Sequence, residues 1–496
     1  MKSEKRYLTW LLLLLGAICF TMSSGRWNAP IMAWIWPFCM LYFSRNTKGL
    51  LGWLIPVALL CSLSAVKWGG AAGGVMLENI LTGAALGFLA AVALIVDRVL
   101  YDRVGGFKAT FIYPLVFVVI EFVMQLTPSA TLGPISATQT GNDPMVQIAS
   151  VFGSYGITFL VVWFSSVLMF VIDVQPRDSR QAMRGGAAFL MVFLVLLFYG
   201  ETRLALSDIG TKNVKLAMTT GPYLGDFMDD YEYIENLPVE DNIRSLLQSV
   251  DTAVAGRADI LLFCEEAFCV SDFDEEAMLT AASRAAREKN IFILLPLEVE
   301  DTDDSQGGKT ENVEYLFDNQ GQQVWKYYKS HLTNFIETQT VVKGEPVIPQ
   351  ATVTLPNGTE VKIASVICMD SDFPTFIRDK MDNDVDLLLI PTWDWAEIRA
   401  YHTKWVELRA AENGVCLARS CMDGVSTATD PYGRVIMLSD TAGAGYENVI
   451  FAEIPARDVF SFYKYIGPVM DWCYVAGLAA LIVIGVVKKK SKKTMP

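Results

Sequence analysis

The chain has 496 residues, of which 52% are hydrophobic and only 19% charged, with a mean hydropathy of +0.33. Soluble globular chains carry about 25% charge, so these numbers argue against an ordinary cytosolic fold, and equally against intrinsic disorder. A net charge of -14 argues against a nucleic-acid binder, and two histidines, His331 and His402, leave no basis for a His-rich metal centre. Nine scattered cysteines form no disulfide framework. Cys264 and Cys269 share a spacing with Cys416 and Cys421, but no histidine joins either pair. No metal and no cofactor are expected.

Apolar and acidic residues are segregated along the chain. Of 54 acidic residues, 44 lie between Asp208 and Asp458. The first 200 residues and the last 30 are mostly apolar. Crossing about 30 Å of hydrocarbon takes roughly 17–25 apolar residues. Candidate spans fall near Tyr7–Met22, Trp27–Phe43, Leu50–Val66, Met76–Val96, Phe107–Met124, Ile157–Ile172 and Ala187–Tyr199, with a last one near Ile466–Val487. The first resembles a signal peptide, with Lys2, Lys5 and Arg6 before an apolar run; the helices that follow favour a retained anchor.

Basic residues set the orientation. One set of loops holds Lys2, Lys5, Arg6, Arg45, Lys48, Arg98, Arg103, Lys108, Arg177, Arg180, Arg184 and the tail Lys488–Lys493, and the opposite set only Arg26 and Lys67. The first set is expected in the cytoplasm, which puts the acidic segment outside. The organisation expected is a seven-helix membrane domain over 1–206, an extracytoplasmic domain over 207–460, and a membrane helix with a basic tail over 461–496.

Within the acidic segment, short apolar runs read as buried strands: Val214–Met218, Ile260–Phe263, Ile291–Leu295, Val361–Ile367, Val385–Ile390 and Val415–Ala418. Helix-like stretches such as Glu275–Lys289 and Tyr401–Asn413 lie between them. Alternation of the two predicts an α/β layered domain. The polar stretch Val299–Lys309 reads as a loop. Tyr223–Asn236, which mixes acids with Phe227, Tyr231 and Tyr233, reads as a solvated loop or a lid.

Three strand ends carry reactive residues: Glu265 in ADILLFCEEAF, Lys329 in VWKYYKSHLTNFIE and Cys368 in VKIASVICMDSDFP. Each alone has a bland reading: a turn carboxylate, a surface lysine, a small core cysteine. Their order and flanks resemble the carbon–nitrogen hydrolase (nitrilase) superfamily. The matching strings are DILLFCE (Asp259–Glu265), Asn312 through FDNQG and YYKSHL to Leu332, VICMD (Val366–Asp370), RAAENG (Arg409–Gly414) and DPYGR (Asp430–Arg434). The resemblance implies an α-β-β-α sandwich in which Glu265 is the general base, Lys329 stabilises the oxyanion and Cys368 is the nucleophile of a thioester acyl-enzyme. Such a thiol needs a base within reach to become nucleophilic.

Seven helices, a nitrilase-like domain and one closing helix are similar to the apolipoprotein N-acyltransferase family. That resemblance implies a phospholipid acyl donor, a lipoprotein acceptor whose diacylglyceryl-cysteine supplies the α-amine, and a place in a bacterial cytoplasmic membrane. It also implies supporting or substrate-binding parts for Glu337, Trp395 and Asp370. His402 precedes the RAAEN helix as in the family, and His331 reads as a satisfied structural histidine. The pattern departs from the family at Met369 and Asp370 after the cysteine, at Asn334, at Thr392-Trp393 and in AMTTGPY. Alternatives are a membrane-anchored amidase, a catalytically silent nitrilase-fold protein in a membrane assembly, and a transporter. The last lacks paired intramembrane charges in the sequence, with Glu78 and Glu121 the candidates.

Overall fold

The computed structural model describes all residues except 1, 72–75, 129, 131–132, 208–211, 221–236, 303, 305, 335, 441–448 and 494–496. The stretch 223–236, read as a loop or lid, lies outside the described residues, apart from which the chain divides into two units, Met1–Leu206 with Tyr465–Pro496, and Ser207–Lys464.

The first unit is helical. Its helices are α1 (Lys2–Met22), α2 (Met32–Asn46), α3 (Leu51–Lys67), α4 (Met76–Val104), α5 (Ile112–Met124), the single turn α6 (Asp143–Val146), α7 (Ala149–Val174) and α8 (Ser179–Ala205), with a closing helix over Phe462–Lys493. Five segments of the described residues are long and apolar enough to span a bilayer, with two shorter apolar helices beside them. The chain is therefore a multi-pass membrane protein. Helices α3 and α4 approach closely because Gly83 and Gly87, four apart, present no side chain; a Cβ on Gly83 would sit 2.6 Å from the Ala65 Cα. Two expectations are corrected here. Helix α4 runs to Val104, so Asp97 lies inside it, fully buried and held by Arg45 at 2.9 and 2.8 Å. The sequence reading had seen no paired charge in this region. Lys67 is not a loop residue but the buried last residue of α3.

The second unit is two stacked sheets between helices. Its strands are β1 (Asn213–Thr219), β2 (Ile260–Leu262), β3 (Phe268–Ser271), β4 (Phe292–Glu300), β5 (Glu311–Phe317), β6 (Gln323–Tyr328), β7 (Gln350–Thr354), β8 (Glu360–Ser365), β9 (Leu387–Trp393), β10 (Cys416–Met422), β11 (Val425–Thr429), β12 (Val435–Asp440) and β13 (Val449–Pro455). One sheet has the order β13-β1-β2-β4-β5-β6 with β3 beside β4; the other has β12-β11-β10-β9-β8-β7. The helices are α9 (Val239–Ala255), α10 (Glu275–Lys289), α11 (Pro374–Lys380) and α12 (Arg399–Asn413).

Strand periodicity builds the layers. Val214, Leu216, Met218, Ile260, Leu262, Phe292 and Leu294 face inward and meet Val361, Ile363, Leu387, Leu389, Cys416 and Ala418 of the other sheet. The alternate residues Ala217, Leu261, Ile293 and Leu295 point the other way, onto Leu246 and Val250 of α9 and Met278 and Ala282 of α10. Helix α12 packs on β10 and β11. The result is the expected α-β-β-α sandwich. Ser420 of β10 donates to the Thr219 carbonyl of β1, a polar tie between the sheets.

Helix α12 ends where Gly414 takes a left-handed conformation (φ 63°) and its amide bonds to the Ala410 carbonyl. A Cβ there would collide with the Val459 carbonyl. Gly414→Ala is therefore expected to cost about 1–3 kcal/mol, read as a lower midpoint in thermal melts of the detergent-solubilised chain; an unchanged midpoint would contradict the steric account.

Candidate functional site

Three strand ends converge. Strands β1, β2 and β4 run parallel, as do β8, β9 and β10, and side chains just past the carboxyl ends of such strands are held by the sheet yet face a crevice. Glu265 lies three residues after β2, Lys329 directly after β6, and Cys368 three residues after β8.

Lys329 is 2% exposed, and its ammonium sits 2.7 Å from Glu265 Oε1 and 2.7 Å from Glu337 Oε1. Asn312 Nδ2 donates to the same two oxygens at 2.9 and 3.2 Å. The remaining Glu265 oxygen accepts the Trp393 amide at 2.8 Å, and that of Glu337 the Thr333 amide at 2.6 Å. Cys368 Sγ lies 3.8 Å from the Trp393 carbonyl. The thiol and the Glu265 carboxylate thus flank one residue at the end of β9.

Burial alone would lower the Lys329 pKa, but the charges of Glu265 and Glu337 outweigh it and hold the ammonium well above its ordinary value. Burial raises Glu337 in turn, and Lys329 outweighs that, leaving a lowered carboxylate. Burial, then the Glu265 charge, push the Cys368 thiol well above the usual range, with Lys329 acting the other way. The resting cysteine is therefore a thiol, and it could act as a nucleophile only with a base to take its proton. Cys368 has φ 43°, a left-handed conformation that L side chains rarely adopt and that recurs at functional sites.

Asp370 was expected among the supporting or substrate-binding residues. It is fully buried and accepts five bonds: from Tyr327 Oη (2.7 Å), Ser330 Oγ (2.8 Å), the His331 amide (2.8 Å), His331 Nδ1 (2.8 Å) and the Ile367 amide (3.1 Å). Its carboxylate is a strut that locks the loop after β6 to the loop after β8, and so fixes Lys329 against Cys368. His331 is part of this strut and stacks on Phe373 at 4.1 Å. Trp395 is half-buried in the turn after β9, where its carbonyl accepts the Ile398 and Arg399 amides that open α12.

Sequence reasoning missed several parts. Asn312 was seen only as part of a matching string, and its grip on both carboxylates depends on pairing of β5 with β4 and β6. Glu266, half-buried with φ 50°, brings a third carboxylate within 4.8 Å of Glu265 and Glu337. Burial and then the Glu298 and Glu265 charges push it well above the carboxylate range. Such a trio has the donor chemistry of a cation site, but the Lys329 ammonium already stands between Glu265 and Glu337. All nine cysteines are free, including Cys264, Cys269, Cys416 and Cys421.

A second buried network stands behind Cys368. Asp394 accepts from Arg419 at 2.7 Å and from His402 Nδ1 at 2.6 Å, while His402 Nε2 reaches Asp372 at 2.8 Å. Arg419 also donates to Thr403 Oγ1 and the Val425 carbonyl, both at 2.8 Å. Burial opposes charge on Asp394, but Arg419 and His402 outweigh it and lower the pKa to about 2. Burial likewise opposes the imidazolium, but Asp372 and Asp394 raise it to about 9.

Comparison with known proteins fits this layout. Residues 233–463 match the carbon-nitrogen hydrolase family model, and residues 16–167 match the model of the apolipoprotein N-acyltransferase N-terminal domain. The chain belongs to the apolipoprotein N-acyltransferase family, as a divergent member. Among relatives carrying that name, the one from Geobacter metallireducens is 24% identical over 406 residues, covering 77% of this chain and 75% of the relative. The one from Bradyrhizobium diazoefficiens is 26% identical over 379 residues, 71% and 68% of the two chains. That from Haemophilus influenzae is 21% identical over 479 residues, 88% and 87% of the two chains. Among solved structures, an amidase from Nesterenkonia sp. is 18% identical and covers 54% of this chain and 98% of its own, with a TM-score of 0.41.

His402 gives a pH test for this family member. A folded pKa near 9 against the ordinary 6.5 stabilises the fold fully below about pH 6.5, and the stabilisation is lost as pH rises through about 9. The melting midpoint should fall between those values, and His402→Gln should flatten the fall. Parallel pH profiles in the two proteins would reject a charged His402.

Proposed function

We propose that the protein is an N-acyltransferase of a bacterial cytoplasmic membrane. It moves a fatty acyl chain from a phospholipid, through a thioester on Cys368, to the α-amine of a lipoprotein diacylglyceryl-cysteine. The observation that carries the reading is the buried Lys329 held between Glu265 and Glu337 beside Cys368, in a chain that also has the membrane helices of its family. The catalytic unit is placed outside the cytoplasm by the distribution of basic residues along the helical part.

On this reading Glu265 takes the Cys368 proton as sulfur attacks the ester carbonyl of the lipid. The developing oxyanion is met by the Lys329 ammonium, whose place is fixed before the substrate arrives, which is the condition for electrostatic stabilisation to be effective. The carbon–oxygen bond then breaks, the proton held by Glu265 passes to the leaving alkoxide, and a lysophospholipid departs. The α-amine next attacks the thioester, Glu265 accepts its proton, the carbon–sulfur bond breaks, and the proton returns to the Cys368 sulfur. Glu337 acts on Lys329 alone, keeping the ammonium charged and aimed. Trp395 is assigned to the mouth of the site through the family resemblance.

Intact mass measurement of the detergent-solubilised chain, incubated with phospholipid and no amine, tests the reading. Wild type should gain one acyl mass, Cys368→Ser should not, and a diacylglyceryl-cysteine peptide should remove the adduct. Unchanged mass with every phospholipid tried, together with ammonia release from small amides, would replace acyl transfer by a membrane-anchored amidase. Cys368→Ala and Glu265→Gln should each lower turnover by about 10³-fold or more, while Cys421→Ala stays near wild type.

A further inference from the structure

Cys368 opens the single helical turn Cys368–Asp372, and Asp372 closes it. Asp394 directly follows Trp393, whose carbonyl lies 3.8 Å from the Cys368 sulfur. His402 of α12 reaches both segments. Its Nε2 lies 2.8 Å from Asp372 Oδ1, and its Nδ1 lies 2.6 Å from Asp394 Oδ1. One ring therefore bridges the two segments that hold the sulfur in place.

An ionised carboxylate only accepts hydrogen bonds, so a ring nitrogen facing one must carry a hydrogen, and a ring with both nitrogens so placed is an imidazolium. Arg419 Nη2 lies 3.1 Å from Nδ1, but it donates to Asp394 Oδ2 at 2.7 Å. Burial opposes the imidazolium, and Asp372 and Asp394 outweigh it to set a pKa of about 9. His402, Asp394 and Arg419 are buried and Asp372 is half-buried. Counted as charges, His402 and Arg419 balance Asp372 and Asp394. A neutral His402 would leave one negative charge uncompensated behind the sulfur.

The sulfur feels these charges. After burial, Glu265 and Lys329, the next influences on the Cys368 thiol are Asp394, which raises its pKa, and Arg419, which lowers it. Bracing the turn against β9 explains the two bonds of His402 but needs no charge. The charge acquires a purpose at the sulfur, which becomes negative as its proton leaves and is hindered by a like charge nearby.

We propose that His402 is a positioning residue for the nucleophile, its imidazolium offsetting the Asp372 and Asp394 charges that would otherwise oppose ionisation of Cys368. It acts through the two carboxylates and touches no substrate. The groups that face it are Asp372 from the turn after β8, Asp394 from the turn after β9 and Arg419 from β10. Cys421, which neighbours Arg419 and Asp394, is pushed well above the usual thiol range by burial and stays neutral. The inference rests on Cys368 being the nucleophile of the proposed reaction, and not on the acyl donor or the acceptor.

Alkylation of Cys368 by iodoacetamide in the full detergent-solubilised chain, followed by peptide mass spectrometry from neutral pH to well above 9, reads the sulfur without any substrate. Near neutral pH His402→Gln should react about tenfold more slowly than wild type. That gap should close as pH rises through about 9, where the wild-type ring loses its own charge. Asp372→Asn, which removes a negative charge instead, should react faster than wild type near neutral pH. A gap that stays constant with pH, or an Asp372→Asn slower than wild type, would reduce His402 to a brace and overturn the proposal. Should His402→Gln fail to fold, the sign of the Asp372→Asn effect decides alone. The expected alkylation pattern with no thioester from any phospholipid would sink acyl transfer and leave this inference standing. A thioester that forms in wild type and in His402→Gln at a ratio independent of pH would sink this inference and leave acyl transfer standing.

Discussion

A buried ammonium between two buried carboxylates is the constraint around which the second unit is arranged. Lys329, Glu265 and Glu337 are each taken out of water, which for any one of them alone would be prohibitive. Together they leave one excess negative charge, which the Asn312 amide and the Trp393 and Thr333 backbone amides spread over four bonds. Removing Lys329 would strand two buried carboxylates, and each carboxylate is also held by an amide, so the cluster holds its geometry without substrate. Burial first, and then the Glu265 charge, keep Cys368 protonated at rest. The thiol is thus held close to a carboxylate and an ammonium without being a standing thiolate.

Holding that geometry requires the two sheets to be fixed against each other at their strand ends. Three devices do this at different depths. Asp370 fastens the loop carrying Lys329 to the loop carrying Cys368. Ser420 ties β10 to β1 through the Thr219 carbonyl. The Asp394–Arg419–His402–Asp372 network braces the turn after β9, directly beside Trp393, the last residue of that strand, whose amide and carbonyl flank Glu265 and Cys368. None of these groups needs to touch a substrate to matter, because a shift of an ångström at a reacting centre is enough to slow chemistry severely.

Legibility in the sequence followed how local each signal is. Buried central strands such as Ile260–Leu262 and Leu387–Trp393 are continuous apolar runs and could be read directly. The partly exposed β7, β12 and β13 were not read, because they are sheet-edge strands with few buried positions. Helix α9, amphipathic over Val239–Ala255 with acids in its first turn, was readable in principle and was not read. Glu265, Lys329 and Cys368 stood out because each follows a strand and because their flanks resemble a known family. Asn312 did not, because its importance arises from strand pairing across the sheet. Asp370 was legible as a supporting or substrate-binding residue, but only the fold reveals the five donors aimed at it.

Lys329 and Lys67 show one rule with opposite outcomes. Both are buried lysines in a protein with little charge to spare. Around Lys329 the chain supplies more negative charge than the ammonium needs, so the cluster is complete in itself and its excess acts on the neighbouring thiol. Around Lys67 the chain supplies only the Phe20 carbonyl and the Ser23 hydroxyl, so its burial is offset by two neutral hydrogen bonds and by no ion pair among the described residues. The first arrangement fixes an ammonium by charge as well as by geometry, and the second fixes one by hydrogen bonds to neutral groups, which holds a helix end in place without any surplus of charge.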